Sequence, residues 1–193
     1  INMNKYITSD YVVSALANLP QLVFEVTDAC NLRCKYCAYG EFYEDYDCRE
    51  NKMLSTEKAI RLIDYLAEYW NSNLNTSADK NITISFYGGE PLLNFPFIEA
   101  VVKHIKNNVH CPHRRFSFSM TTNAILLHKY MDFLQENNFH LLVSLDGNKE
   151  NDGYRMDKAG HSSFERVVTN VDMLRDKYPD YFLRYVNFNA VLH

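Results

Sequence analysis

Three thiols, Cys30, Cys34 and Cys37, stand in one short stretch directly behind the apolar run Leu22-Val23-Phe24-Glu25-Val26, and no fourth Cys or His follows at close spacing. Sulfur-rich ligation selects iron–sulfur clusters or zinc over hard cations. Three thiolates suit a 4Fe-4S cube held at three irons, with the fourth iron left open to a ligand from outside the protein. A structural zinc site closes a tetrahedron with four ligands, usually as two close pairs. The next candidate, Cys48, lies beyond a stretch crowded with Tyr and acid, Glu41-Phe42-Tyr43-Glu44-Asp45-Tyr46-Asp47. Closure by Cys48 therefore keeps a zinc-bound structural or peptide-binding module open as an alternative. A disulfide scaffold is not expected, because 5 Cys is an odd number, 193 residues can fold without staples, and no secretory leader is recognisable. The expected location is a reducing cytoplasm.

Further polar clusters follow at intervals: Gly88-Gly89-Glu90-Pro91, Thr121-Thr122-Asn123, and Ser144 with Asp146-Gly147. The elements that must position them can be read from periodicity. Residues 22–27 are β-rich, and Ser55 or Thr56 can cap a helix whose apolar face carries Ala59, Ile60, Ile63, Leu66, Ala67 and Trp70 at helical spacing. Ile82-Thr83-Ile84-Ser85-Phe86 alternates as a second strand, followed by a helix near 96–106. Phe116-Ser117-Phe118-Ser119-Met120 is a third strand with a helix over 125–136, and residues 140–145 form a fourth. Ser162 and Glu165 read as a capping box for a helix that runs to about Tyr178, where Pro179 should stop it. The run 182–192 reads as a fifth strand.

Strand, helix, strand in repetition implies a parallel sheet with right-handed crossovers. In such sheets chemistry gathers at the C-terminal ends of the strands. Each polar cluster falls at such an end, so the clusters should converge on one rim. The expected fold is α/β, an open partial barrel truncated after its fifth strand. The chain begins at Ile1 and ends inside a strand-like run whose open edge would invite pairing, so it is read as a piece of a longer protein.

Composition narrows the partners. With 20 Lys+Arg against 24 Asp+Glu, a formal charge of -4, and only His113-Arg114-Arg115 as a basic patch, no nucleic-acid footprint is expected. No apolar run approaches membrane length, so no membrane partner is expected either. The 14 Tyr and 12 Phe are taken mainly as core or half-exposed wall. Cys48 and Cys111 fit no second cluster motif, and the histidines form no ligand-spaced pair.

The stretch Cys30-Asn31-Leu32-Arg33-Cys34-Lys35-Tyr36-Cys37 resembles the cluster motif of the radical S-adenosylmethionine superfamily, and Gly88-Gly89-Glu90-Pro91 resembles its methionine-binding turn. Thr121-Thr122-Asn123, Ser144-Leu145-Asp146-Gly147, and Asn151-Asp152 with Arg155 are similar to the peptide- and protein-modifying branch, the SPASM type, which usually carries an additional C-terminal cluster domain. The resemblance implies a partial (β/α)6 core over 21–193 behind a lead-in at 1–20. It implies that Cys30, Cys34 and Cys37 bind a 4Fe-4S cluster whose open iron is chelated by S-adenosylmethionine.

By the same resemblance Tyr36 would pack beside the adenine, and Gly88 and Gly89 would let the backbone approach the ligand. Glu90 would accept from the methionine ammonium, Ser144 would face the ribose, Arg155 would pair with the carboxylate, and Asn187 would touch the nucleoside. Thr122 and Asn123 would hold the ligand or bond across the mouth. Asp146 would accept a proton from substrate. Several have a plainer reading: a loop aromatic for Tyr36, a common turn for Gly88-Gly89, a strand hydroxyl bonded to its own backbone for Ser144, a loop ion pair for Arg155 and an ordinary turn pair for Asp146-Gly147. Where the branch usually has Gly after the Asn, Ala124 stands here. The implied activity is hydrogen abstraction from a ribosomally made peptide, driven by an external one-electron reductant, to install a crosslink or related modification. Modification of a residue in a partner enzyme, as sulfatase-maturing proteins perform, is the alternative.

Overall fold

The computed structural model describes residues 7–39, 49–77 and 79–191. Five parallel strands lie side by side in sequence order: β1 (Gln21–Thr27), β2 (Asn81–Gly88), β3 (Arg115–Thr122), β4 (His140–Ser144) and β5 (Val186–Asn189). Parallel neighbours require crossovers, supplied by α2 (Thr56–Trp70), α3 (Phe95–Asn108), α4 (Leu127–Glu136), and α5 (Phe164–Lys177) with α6 (Pro179–Tyr185). The expected α/β partial barrel is the observed fold, with five parallel strands among the described residues.

Period-two alternation sorts the strand side chains. Phe24, Val26, Ile82, Ile84, Phe86, Phe118, Met120, Leu141 and Val143 join the helices' apolar faces in one core. Phe139 stacks on Phe86 and on Phe118, at 5.7 and 5.4 Å between centroids. Truncating a fully buried ring of this kind costs about 3–5 kcal/mol. The opposite face is rich in hydroxyls: Ser85 and Ser119 bond at 2.6 Å, and Thr83 and Ser117 at 3.2 Å. A closed barrel packs that face with apolar side chains. Here it borders an open cavity of about 320 Å³.

Helix α2 starts where expected, with Ser55 Oγ accepting from the Lys58 amide, and buries Ala59, Ile63, Leu66 and Trp70. The lead-in holds a helix, α1 (Ser9–Ala17), capped by Thr8. Two expectations are corrected. The Ser162–Glu165 capping box does not form: α5 starts after Ser163, whose hydroxyl instead donates to the Arg155 carbonyl, while Glu165 pairs with Lys149. Pro179 ends α5 but also opens α6, since a first-turn proline sacrifices no intrahelical bond.

The fifth strand is accordingly Val186–Asn189, not 182–192. Tyr181 and Tyr185, four residues apart, stack on one face of α6 with centroids 5.4 Å apart, and the Tyr181 hydroxyl donates to the Phe139 carbonyl at 2.6 Å. That anchorage holds 182–185 in a helix. Among the described residues no helix is long and apolar enough to cross a membrane. Cys48 and His193 lie outside the described residues.

Candidate active site

Strand β1 leaves regular pairing at a bulge between Glu25 and Thr27 and runs directly into the cysteine loop. The loop is pinned from both sides. Thr27 Oγ1 accepts from the Ala29 amide at 3.0 Å, the Arg33 amide donates to the Met156 carbonyl at 2.7 Å, and the Lys35 amide donates to the Tyr154 carbonyl at 3.2 Å. Cys30, Cys34 and Cys37 all line one cavity of about 240 Å³, together with Tyr36, Gly88, Gly89, Thr122, Asn123, Ser144 and Arg155. Four of the five strand ends thus meet on one rim.

Gly88 and Gly89, which line the cavity, also meet a steric demand of the fold. Gly88 has φ +133°, and a Cβ there would lie 2.3 Å from the Thr27 carbonyl oxygen. A Cβ on Gly89 would lie 2.2 Å from the Ala29 oxygen and 2.5 Å from the Asp28 oxygen. The space both glycines vacate is filled by the first leg of the cysteine loop. Two amides bridge the contact: Gly89 donates to Thr27 O at 2.7 Å and Glu90 to Ala29 O at 2.8 Å.

Glu90 is fully buried below this turn. Its carboxylate accepts from Thr122 Oγ1 at 2.8 Å, the Asn123 amide at 2.8 Å and the Leu92 amide at 3.1 Å. Burial raises its pKa, with these three donors pulling the other way. In this arrangement the carboxylate ties the ends of β2 and β3 together and does not line the cavity. Asn123 passes the order on: Nδ2 donates to Asn31 Oδ1 at 2.7 Å and lies 3.6 Å from Cys30 Sγ. Ala124 follows at φ +60° and is fully buried, so the turn takes a left-handed residue even without glycine.

On the far side, the Tyr36 hydroxyl donates to Asp146 Oδ2 and accepts from Arg155 Nη1 at 2.9 Å. Asp146 Oδ1 accepts from the Val191 amide at 2.9 Å, and Asp152 Oδ1, itself buried, accepts from the Asp146 amide at 3.1 Å. Burial, and then the bond to Asp146, raises the Tyr36 pKa. Asp146 is 5% exposed with a protein donor on each oxygen, and it sits behind the cavity wall. Ser144 and Arg155 reach the cavity itself. Asn187, paired in register with Leu142, lies in the neighbouring cavity on the polar face of the sheet, which shares Tyr87 and Thr121 with the first.

Sequence reasoning missed Arg49. Its Nη2 donates to Cys37 Sγ at 3.0 Å and its Nη1 to the Leu32 carbonyl at 3.4 Å. Nothing in its spacing sets it apart from other loop cations.

The donor chemistry fits an iron–sulfur group. Three free thiols open into one cavity, and two of them already carry N–H donors of the kind that tune cluster sulfurs: the Leu32 amide 3.4 Å from Cys30 Sγ, and Arg49 on Cys37. Burial raises the Cys30 thiol and pushes the Cys34 thiol up to about 11, so loading must expel protons.

The fold and site together are those of a parallel α/β core with three thiols and a glycine-paired turn lining one cavity on its C-terminal rim. The radical SAM superfamily profile matches residues 24–192, and the chain belongs to that superfamily. It is 33% identical over 186 residues to a cysteine-type anaerobic sulfatase-maturating enzyme of Clostridium novyi, covering 92% of this chain and 46% of the relative. It is 28% identical over 176 residues to the radical SAM cyclopropyl synthase TigE of Paramaledivibacter caminithermalis, covering 86% and 34%. A serine-type anaerobic sulfatase-maturating enzyme of Bacteroides thetaiotaomicron is 30% identical over 157 residues, covering 80% and 36%.

Among solved structures, native anSMEcpe with bound AdoMet superposes with a TM-score of 0.70 at 25% identity, covering 89% of this chain and 43% of that one. The same protein with bound AdoMet and the Cp18Cys peptide gives 0.67 at 26%, covering 90% and 42%. The chain spans less than half the length of these relatives.

Proposed function

We propose that this chain is the core, over 21–193, of a radical S-adenosylmethionine oxidoreductase that modifies a residue in a peptide or protein substrate. The observation that carries the reading is the single cavity shared by Cys30, Cys34, Cys37, the Gly88–Gly89 turn, Ser144 and Arg155. Modification of a partner protein, the sulfatase-maturing type, takes precedence over crosslinking of a ribosomally made peptide. Sulfatase-maturating enzymes recur among the relatives, and the superposed anSMEcpe structures include one with a bound peptide. TigE is the relative that favours the second reading.

Cys30, Cys34 and Cys37 would hold the 4Fe-4S cluster, and its open position would take S-adenosylmethionine. When bound and reduced by an external one-electron donor, the pair supplies a 5'-deoxyadenosyl radical that abstracts hydrogen. Arg155 offers a guanidinium for the methionine carboxylate, Ser144 a hydroxyl for the ribose, Asn187 a side-chain amide deeper on the polar face, and Tyr36 its backbone beside the adenine. The Gly88–Gly89 turn presents main chain to the methionine, while Glu90, through Thr122 and Asn123, positions that turn against Cys30. Asp146 positions Tyr36; to accept a substrate proton it would first have to release Tyr36 or the Val191 amide.

The test uses full-length protein reconstituted with iron and sulfide, reduced with dithionite and given S-adenosylmethionine. It should form 5'-deoxyadenosine, and a fully loaded protein that forms none would defeat the proposal. Fragmentation mass spectrometry of a candidate partner peptide then separates the readings. A single-residue modification leaves backbone cleavage on both sides of it, whereas a crosslink suppresses cleavage between the joined residues.

A further inference from the structure

Two of the three cysteine sulfurs carry a direct hydrogen-bond donor, and the two are unequally served. Cys30 Sγ has neutral donors, the Leu32 amide at 3.4 Å and Asn123 Nδ2 at 3.6 Å. Cys37 Sγ has a guanidinium nitrogen, Arg49 Nη2, at 3.0 Å. Arg49 is held there by two contacts: its other terminal nitrogen reaches the Leu32 carbonyl at 3.4 Å, and its guanidinium carbon lies 4.9 Å from the centre of the Tyr39 ring. It lines the cavity beside all three cysteines. The planar fork thus bridges the two ends of the loop, residues 32 and 37, while keeping one N–H edge on sulfur.

We propose that Arg49 sets the reduction potential of the cluster through a charge-assisted hydrogen bond to the Cys37 thiolate. The inference rests on the cluster assignment proposed above. One electron from a low-potential donor enters the oxidised cluster; no bond forms or breaks and no proton moves, so the cluster gains one negative charge. A fixed positive charge and N–H donor on a ligand sulfur favour that more negative state, because hydrogen bonds to the sulfurs and net local charge both set cluster potentials. Arginine suits the task because it keeps its charge at every working pH and is less strongly hydrated than an ammonium. Arg155, the other guanidinium of the cavity, gives Nη1 to the Tyr36 hydroxyl and faces Asp152 with Nε at 3.5 Å, and it has no hydrogen bond to a cysteine sulfur among the described residues.

The experiment is a reductive titration, followed by electron paramagnetic resonance, of the reconstituted full-length protein and its R49Q and R49K variants, with iron and sulfide counted in each. R49Q should disfavour reduction by about tenfold, a downward shift of about 59 mV for one electron. R49K, which keeps the charge but loses the fork, should fall between. A loaded R49Q that titrates with the wild type overturns the inference and leaves Arg49 a packing residue. If R49Q fails to load, R49K alone decides: a lowered potential supports the proposal and an unchanged one overturns it. Failure of both variants to load beside a loaded wild type also overturns it, in favour of a structural clamp. A wild type that takes up no iron and sulfide would instead defeat the cluster assignment itself.

Discussion

Replacing Gly89 by alanine should both destabilise the fold and empty the cysteine site. The added Cβ would stand 2.2 Å from the Ala29 carbonyl oxygen, 2.5 Å from the Asp28 oxygen and 2.6 Å from the Ala29 carbonyl carbon, all backbone atoms. No rotamer can relieve the clash, so the first leg of the cysteine loop has to move by about 1 Å to restore ordinary contact. That shift breaks or stretches the bonds from the Gly89 amide to Thr27 O and from the Glu90 amide to Ala29 O. Two net hydrogen bonds at about 1 kcal/mol each, with an overpacking cost of about 1–3 kcal/mol, give a loss of about 3–5 kcal/mol. For a chain of this size that corresponds to a fall in melting temperature of roughly 10 °C. Differential scanning calorimetry reads the stability, and iron and sulfide per chain after reconstitution read the site. A G89A protein that melts with the wild type and loads a full cluster would refute the claim that Gly89 exists to admit the loop backbone.

Three further outcomes are expected. Because burial raises the Glu90 pKa, the folded state keeps this proton at pH values where the unfolded chain has released it; stability from this group therefore declines as pH rises through the window above the ordinary glutamate range. The stability advantage of wild type over E90Q should shrink from pH 5 to pH 8 in urea unfolding, and a growing advantage would contradict it. Y36F removes the hydroxyl that bonds Asp146 and Arg155, and a double-mutant cycle with D146N should give a coupling of about 1–3 kcal/mol in urea unfolding, whereas additivity would mean no link between them. C34A should abolish cluster absorbance, while C111A, whose thiol lies in the core and away from the cavity, should retain it at a stability cost of about 1 kcal/mol.

Much of the chain was legible in one dimension. Alternation in Ile82-Thr83-Ile84-Ser85-Phe86 and in Phe116-Ser117-Phe118-Ser119-Met120 reveals strands with one apolar and one hydroxyl-bearing face, because successive side chains point to opposite sides of a sheet. Helix α2 announces itself through Ser55 and its apolar stripe. The cysteine spacing and the placement of every polar cluster after a strand were enough to gather them on one rim, since a parallel sheet brings all its strand ends to the same side.

The contacts within that rim were decided only by the tertiary structure. The resemblance offers Glu90 as a partner for the methionine ammonium and Asp146 as a base; packing gives each carboxylate a protein donor on both oxygens. Gly88 and Gly89 read as room for a ligand, and the fold adds a second demand on them, the close approach of the backbone of residues 27–29, some sixty positions earlier. Arg49 carries no signal at all until the fold lays it on Cys37. Local pattern depends on neighbours a few residues away and is written in the order of the chain. Hydrogen-bond partners and excluded volume depend on segments that meet only after the crossovers close, and those distances have no counterpart in sequence spacing.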